Sequence, residues 1–495
     1  MTTDDHPVSN SQSPVLTLSS EDFRRLGYRA VDLAADYLTN ARSSPVFSPM
    51  SEAARQVLLE QALPQKEGDP SKIVDFFQDH VFPYPMGNGH PRFFGWVNSP
   101  PAHLSVVAEL LAAAMDPSCA GGDHAAIYLE HCVTRWLLEL VGFPVEGSMG
   151  LLVSGGSMAT LTCLAAARYW AAKKMGWNVR EEGLFNHVPL IIYLSEEGHS
   201  CIRKSAELLG LGVAGLHVIP TKEDLTIDVE KLRVAIAEDR ATGKQPFCIV
   251  ASAGTVNTGA IDPFDVLADL CGEEQLWLHV DGAYGAVGIL DNRLAGRYRG
   301  MERAQSLALD PHKWLSIPYE CGCAIVRDGT NLRNTFSLIP AYLRTEEGKG
   351  FGGLPWFSEY GFQQTRGFRA LKLWMALQHA GRKGLETLIT RHNDLAQYLA
   401  GLVDAASDME RLAPVDLSIV CFRSIPAILQ ADESRLDALN KYIMEEIQSG
   451  GEAFVTGTTL SGHFALRACI LHYETKEDDL AALLSLVRKI GTQFI

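Results

Sequence analysis

No run of this 495-residue sequence is apolar for long enough to span a bilayer, so membrane helices are not expected. Positive charge is also scarce. Lys and Arg number 43 against 59 Asp and Glu, a formal net charge of −16. An acidic chain repels phosphate backbones and anionic lipid, so neither nucleic acid nor a membrane surface is expected as a partner. The ten cysteines lack metal-ligand spacing. Cys321 and Cys323 are the one close pair, with no second pair or histidine cluster beside them. That usage fits reduced structural thiols, with no metal and no disulfides. Met1 to Ser20 is polar and lacks the apolar core of a signal peptide, so the cytoplasm is the expected location.

What is present is an ordinary globular composition, 47% apolar and 21% charged, in a chain too long for one simple core. Residues 1–18 are rich in Ser, Asp and Pro and read as a flexible tail. Residues 19–105 read as an N-terminal helical segment. Apolar residues recur at helical spacing from Ser19 to Tyr37, with Ser20 as N-cap, and a second helix is expected near Glu52 to Ala62. A Pro- and Gly-rich loop from Pro83 to Pro101 then carries Phe93, Phe94 and Trp96.

In residues 106–385 short apolar strands (190–194, 216–219, 247–251 and 277–280) alternate with helical segments such as 229–238 and 264–270. That alternation predicts an α/β fold with a mainly parallel sheet covered by helices. A long helical stretch runs from Gly367 to about Ala405. Residues 386–495 read as a smaller α+β domain, with strands near 417–422 and 464–471 and a closing helix from Asp478.

Asp310-Pro311-His312-Lys313-Trp314 follows an apolar segment, Gln305 to Leu309, that reads as a buried strand. A lysine at a strand end, between an imidazole and an indole with little free charge nearby, loses its proton more easily than a surface lysine. It is then a nucleophile toward an aldehyde, and pyridoxal phosphate is the commonest aldehyde cofactor held that way. Taken alone, these five residues read better as a surface lysine after a proline turn.

Other positions decide. Ser154-Gly155-Gly156-Ser157 precedes a helix, Met158 to Arg168, whose free N–H groups suit a phosphate, although Gly-rich turns before helices are common. Trp277 to Gly285 is an apolar strand ending in Asp281. A carboxylate there could keep a pyridine nitrogen protonated, or could equally cap the next turn. His199, after the strand 190–194, could stack on a flat cofactor, and Thr255 offers a hydroxyl after the strand 247–251. Ser157, His199, Thr255, Asp281 and Lys313 therefore converge on one crevice.

The order Ser-Gly-Gly-Ser, Gly-His-Ser, Ala-Gly-Thr, His-Val-Asp-Gly-Ala-Tyr-Gly and Asp-Pro-His-Lys-Trp resembles the pyridoxal-phosphate-dependent group II amino-acid decarboxylases. That family includes aromatic amino-acid, histidine, tyrosine and glutamate decarboxylases. The similarity runs from about Phe23 to the C-terminus and includes 90–94 and 366–372. It implies the type I aspartate-aminotransferase-like fold, pyridoxal 5'-phosphate as cofactor, and a homodimer with active sites at the subunit interface. It also implies that Lys313 carries the cofactor and that Asp281 partners the pyridine nitrogen. His199 would stack on the ring, Gly156, Ser157 and His312 would contact phosphate or cofactor, and Thr255 and Ala283 would lie close by.

The segment 339–343 resembles the family's mobile loop, in which Tyr342 would return a proton to the substrate carbon. A tyrosine there favours simple decarboxylation of an L-amino acid to amine and carbon dioxide, most readily of aromatic type. A non-aromatic substrate, or an aldehyde synthase or aminotransferase activity, is the alternative. Two departures stand out. Met158 replaces a glutamate common in the family, and residues 114–123 lack the Phe and Trp that animal aromatic decarboxylases place near the substrate ring. Phe93 or Trp96 could still supply an apolar wall, or either could only pack the interface.

Overall fold

The computed structural model describes residues 16–338 and 351–495. A seven-stranded sheet is built from β1 (Met149–Val153), β2 (Leu190–Ser195), β3 (Leu216–Ile219), β4 (Gln245–Ser252), β5 (Trp277–Asp281), β6 (Ser306–Leu309) and β7 (Gly322–Val326). The spatial order is β1-β7-β6-β5-β4-β2-β3. Only β7 runs antiparallel to its neighbours. Strands β2 to β6 follow the expected alternation, with bounds shifted by a residue or two. Most of their residues are buried, because helices cover both faces of the sheet. The helix Gly156–Lys174 lies against β4 to β7. Its run of Ala, Thr and Cys lets the backbones approach closely.

The smaller sheet is wholly antiparallel: β8 (Met409–Arg411), β9 (Ile419–Ser424), β10 (Thr456–Leu460) and β11 (His463–Cys469), in the order β10-β11-β9-β8. The helices Glu433–Gly450 and Glu477–Phe494 cover it and bury Leu439, Ile443, Leu483 and Val487 in a second core. The long helix Arg369–Asp404 reaches from one core to the other. It breaks at Gly381, whose φ of 61° and ψ of 168° lie outside the helical region and suit a residue without Cβ. The division drawn at 385/386 therefore falls inside this helix.

The first helix spans Ser20–Thr39 and is capped by Ser19, whose side chain accepts the Asp22 N–H, so the N-cap lies one residue earlier than Ser20. Helix Glu52–Leu59 follows. A third, Pro70–His80, has Asp69 as cap and Pro70 at its first position, a signature the periodicity reading passed over. None of these three helices buries a single residue, and Phe23, Tyr28, Leu59 and Ile73 stand exposed. All ten cysteines are free, and all but Cys132 are buried. No described helix is long and apolar enough to cross a membrane.

Candidate active site

The C-terminal ends of β2, β4, β5 and β6, with the start of helix Gly156–Lys174, enclose a cavity of about 350 Å³. Its wall includes Gly156, Ser157, His199, Thr255, Asp281, Ala283, His312 and Lys313. This is the edge where open α/β sheets hold ligands. The chain takes a sharp course here because β6 must return as the antiparallel β7. The connection between them carries His312 and Lys313.

Lys313 does have charge beside it. Its Nζ lies 3.0 Å from Asp310 Oδ2, which corrects the expectation of an amine with little free charge nearby. The other oxygen, Asp310 Oδ1, is buried without a hydrogen-bond partner. Trp314 does not flank the amine either. It is fully buried, stacks on Tyr284 at 4.9 Å, and donates its indole N–H to His392 Nδ1 at 3.0 Å. Ser99 donates to the Lys313 carbonyl at 2.5 Å. The lysine backbone is thus held from both sides while its side chain reaches the cavity.

Asp281, the last residue of β5, accepts the Ala283 N–H at 3.2 Å, so the capping role and the cavity-facing role coexist. His199 caps the helix Ser200–Leu208 by accepting the Cys201 N–H at 3.2 Å. Burial lowers its pKa, as it does for His312, whose Nδ1 accepts the Cys321 N–H. Both rings are therefore neutral near pH 7, a form suited to stacking or hydrogen bonding. The Thr255 hydroxyl is shared with Thr258 at 3.0 Å.

The glycine-rich turn forms a cradle. A Cβ on Gly155 would come within 3.2 Å of His312 Cε1, and one on Gly156 within 2.7 Å of Asp310 Oδ2. Gly322 of β7 fits under the turn because a Cβ there would lie 2.5 Å from Gly155 Cα. The first helical return bond runs from Ala159 N–H to the Gly155 carbonyl, which leaves the amides of Gly156, Ser157 and Met158 free for an anion. A cup for an anion, an aspartate, a neutral imidazole and a lysine amine fit a phosphorylated pyridine aldehyde.

Phe93 and Trp96 are not part of this wall. Phe93 is 2% exposed and stacks on Phe454 at 4.8 Å. Trp96 is half-exposed and packs on the same ring at 5.3 Å. From their loop only Val97 reaches the cavity. Tyr342 lies outside the described residues. Sequence reading missed Glu197, Cys201, Asp310 and Glu320, which also line the site. Asp310 opens the quoted pentapeptide, and its spacing of three residues from Lys313 was an available signal. Glu197 is braced by Asn257, which donates to its Oε2 at 2.9 Å, and burial raises its pKa.

Fold and cavity together define a type I pyridoxal-phosphate enzyme. The family model for the pyridoxal-dependent decarboxylase conserved domain matches residues 51–425, and the chain belongs to that family. It is 34% identical to an aromatic-L-amino-acid decarboxylase of Bacillus atrophaeus over 97% of both chains. It is 28% identical to a phenylacetaldehyde synthase of Petunia hybrida, covering 92% of this chain and 91% of that protein. A crystal structure of Oryza sativa TDC with PLP and tryptamine superposes with a TM-score of 0.89 at 26% identity, covering 96% of this chain and 99% of the other. The protein is a decarboxylase that uses pyridoxal phosphate.

Proposed function

We propose that this enzyme converts an aromatic L-amino acid to its amine and carbon dioxide in the cytoplasm, with Lys313 as the residue that carries the cofactor. The observation that carries the reading is one cavity faced by the Lys313 amine, the Asp281 carboxylate and an open helix start. The near full-length similarity to an aromatic-L-amino-acid decarboxylase supports the substrate class. When bound, pyridoxal phosphate supplies the electron sink for loss of the carboxylate.

The chain's own residues orient and protonate. Gly156, Ser157 and His312 would hold the phosphate, His199 would stack on the ring, and Asp281 would keep the ring nitrogen charged. Asp310 holds the lysine amine in place. Thr255 and Ala283 shape the floor of the cavity. Tyr342 returns a proton to the substrate carbon. Phe93 and Trp96 form an apolar cluster outside the cavity of their own chain, so any contact with substrate would have to come through a second subunit. A homodimer agrees with the exposed apolar side chains of the three N-terminal helices.

Incubation with a panel of amino acids, scored for carbon dioxide, amine, aldehyde and peroxide together, tests the reading. Phenylalanine, tyrosine, tryptophan or a hydroxylated relative should give carbon dioxide and amine in equal amounts. Tyr342→Phe should slow amine release and divert product to aldehyde and peroxide. Aldehyde as the main wild-type product would favour the second activity seen among relatives. Turnover confined to acidic amino acids would contradict the aromatic assignment.

A further inference from the structure

The cavity holds a constellation that cofactor binding does not use in full. His199, Cys201 and Asp281 bring a ring nitrogen, a sulfur and a carboxylate oxygen within 4.8 Å of one another. Among the described residues no other three such side chains gather in this way. Cys201 follows His199 by two positions, in the first turn of helix Ser200–Leu208, while Asp281 ends β5 on the far side of β4. No spacing rule would have linked them. A sulfur, an imidazole nitrogen and a carboxylate are the ligand set of a three-residue zinc site, with a fourth position open to water in the cavity.

Two further features favour a metal there. Thr160, wholly buried on helix Gly156–Lys174, has no hydrogen-bond partner for its hydroxyl. That hydroxyl lies beside the Cys201 sulfur. A buried hydroxyl beside the sulfur, with no other partner, is what a thiolate would take up. The charge balance is also right. Asp281, Asp310 and Glu197 line the cavity, and its one lysine is already paired with Asp310.

We propose that the cofactor-free enzyme binds one thiophilic divalent cation, of the zinc and cadmium class, through His199, Cys201 and Asp281, and that this cation and pyridoxal phosphate exclude each other. Binding releases the Cys201 thiol proton to water as the sulfur–metal bond forms, and no oxidation is involved. Thiolate and imidazole select against magnesium and calcium, which prefer oxygen ligands. The exclusion rests on the reading of His199 and Asp281 as contacts of the cofactor ring, whereas the metal site itself does not.

The full-length chain, stripped of cofactor, is titrated with Cd²⁺ and followed by the ultraviolet absorption of a cadmium thiolate. Uptake of pyridoxal phosphate is then followed by its visible band, with and without prior Cd²⁺. One Cd²⁺ per chain should bind with a thiolate band, block cofactor uptake, and leave when a chelator is added. Enzyme already loaded with cofactor should take none. Cys201→Ser should lose the band and bind Cd²⁺ at least about tenfold more weakly. Asp281→Asn, which keeps the thiol, should retain the band with similarly weakened binding.

Absence of a thiolate band, or a band that survives in Cys201→Ser, overturns the site. Simultaneous binding of Cd²⁺ and cofactor overturns the exclusion. Failure of stripped, metal-free enzyme to take up pyridoxal phosphate would instead overturn the cofactor reading.

Discussion

Asp281 and Asp310 are both carboxylates facing one cavity, yet their surroundings give them different work. Asp310 meets the Lys313 amine through one oxygen, while its other oxygen is buried and unpaired. Asp281 is anchored by the Ala283 amide and keeps its remaining lone pairs for the cavity. Asp281→Asn preserves shape and removes the charge. The expected loss in kcat/KM is about 10² to 10³-fold, the size found when a preorganised electrostatic group is removed. Steady-state kinetics with saturating cofactor checks this, and near-native turnover would contradict the role. The residues visible from sequence were those at strand ends, where type and position together point to chemistry. Glu197 and Cys201 were less visible because only folding brings them to the same wall as Asp281 and Lys313. Trp314 shows the opposite failure: adjacency to Lys313 gave no indication that its ring turns into the core.

At the scale of elements, β1 is tied to the rest of the large domain by a buried ion pair. Glu130, on helix Ala125–Leu140, accepts from Arg366 and from the Leu152 N–H, and the same guanidinium donates to the carbonyls of Leu152 and Cys119. Both side chains are almost wholly buried. Glu130→Gln leaves the guanidinium without its counter-charge and should destabilise the fold by about 3–5 kcal/mol. Urea denaturation of wild type and variant measures the difference, and a change below about 1 kcal/mol would show that the pair is not what fixes β1. The strands β2 to β5 were legible because each is a continuous apolar run bounded by turn residues. Strands β1 and β7 were not, because Gly150 and Cys321-Gly322-Cys323 break the apolar pattern. Those glycines are there for packing: a Cβ on Gly150 would come within 2.7 Å of Thr134 Cβ. Helix Pro70–His80 was missed although Asp69 as cap and Pro70 at its first position mark a helix start.

For the whole molecule, four buried histidines govern the response to acid. Burial lowers His90, His279 and His472 to about 4 and His392 to about 3, from an ordinary 6.5. Between 6.5 and 4 the unfolded chain binds more protons than the folded one at these sites, so stability falls as pH drops through that window. Asp262 works the other way, since burial raises its carboxyl to about 6. Among these five groups, four against one leave a net uptake of roughly three protons on unfolding near the middle of the window, to which the lowered His199 and His312 add and the raised Glu197 subtracts. Thermal unfolding midpoints should therefore fall steadily below pH 6.5, and calorimetry in buffers of different ionisation enthalpy should count the protons. A midpoint that stays flat down to pH 5 would contradict this reading.

The account's central claim is that the lysine at the end of β6 holds the cofactor. Borohydride reduction of the holoenzyme, followed by proteolysis and mass spectrometry, tests it most directly. A pyridoxyl group on the peptide containing Lys313, and on no other lysine, is the predicted result. A group on a different lysine, or none on an enzyme that still releases carbon dioxide, would contradict it.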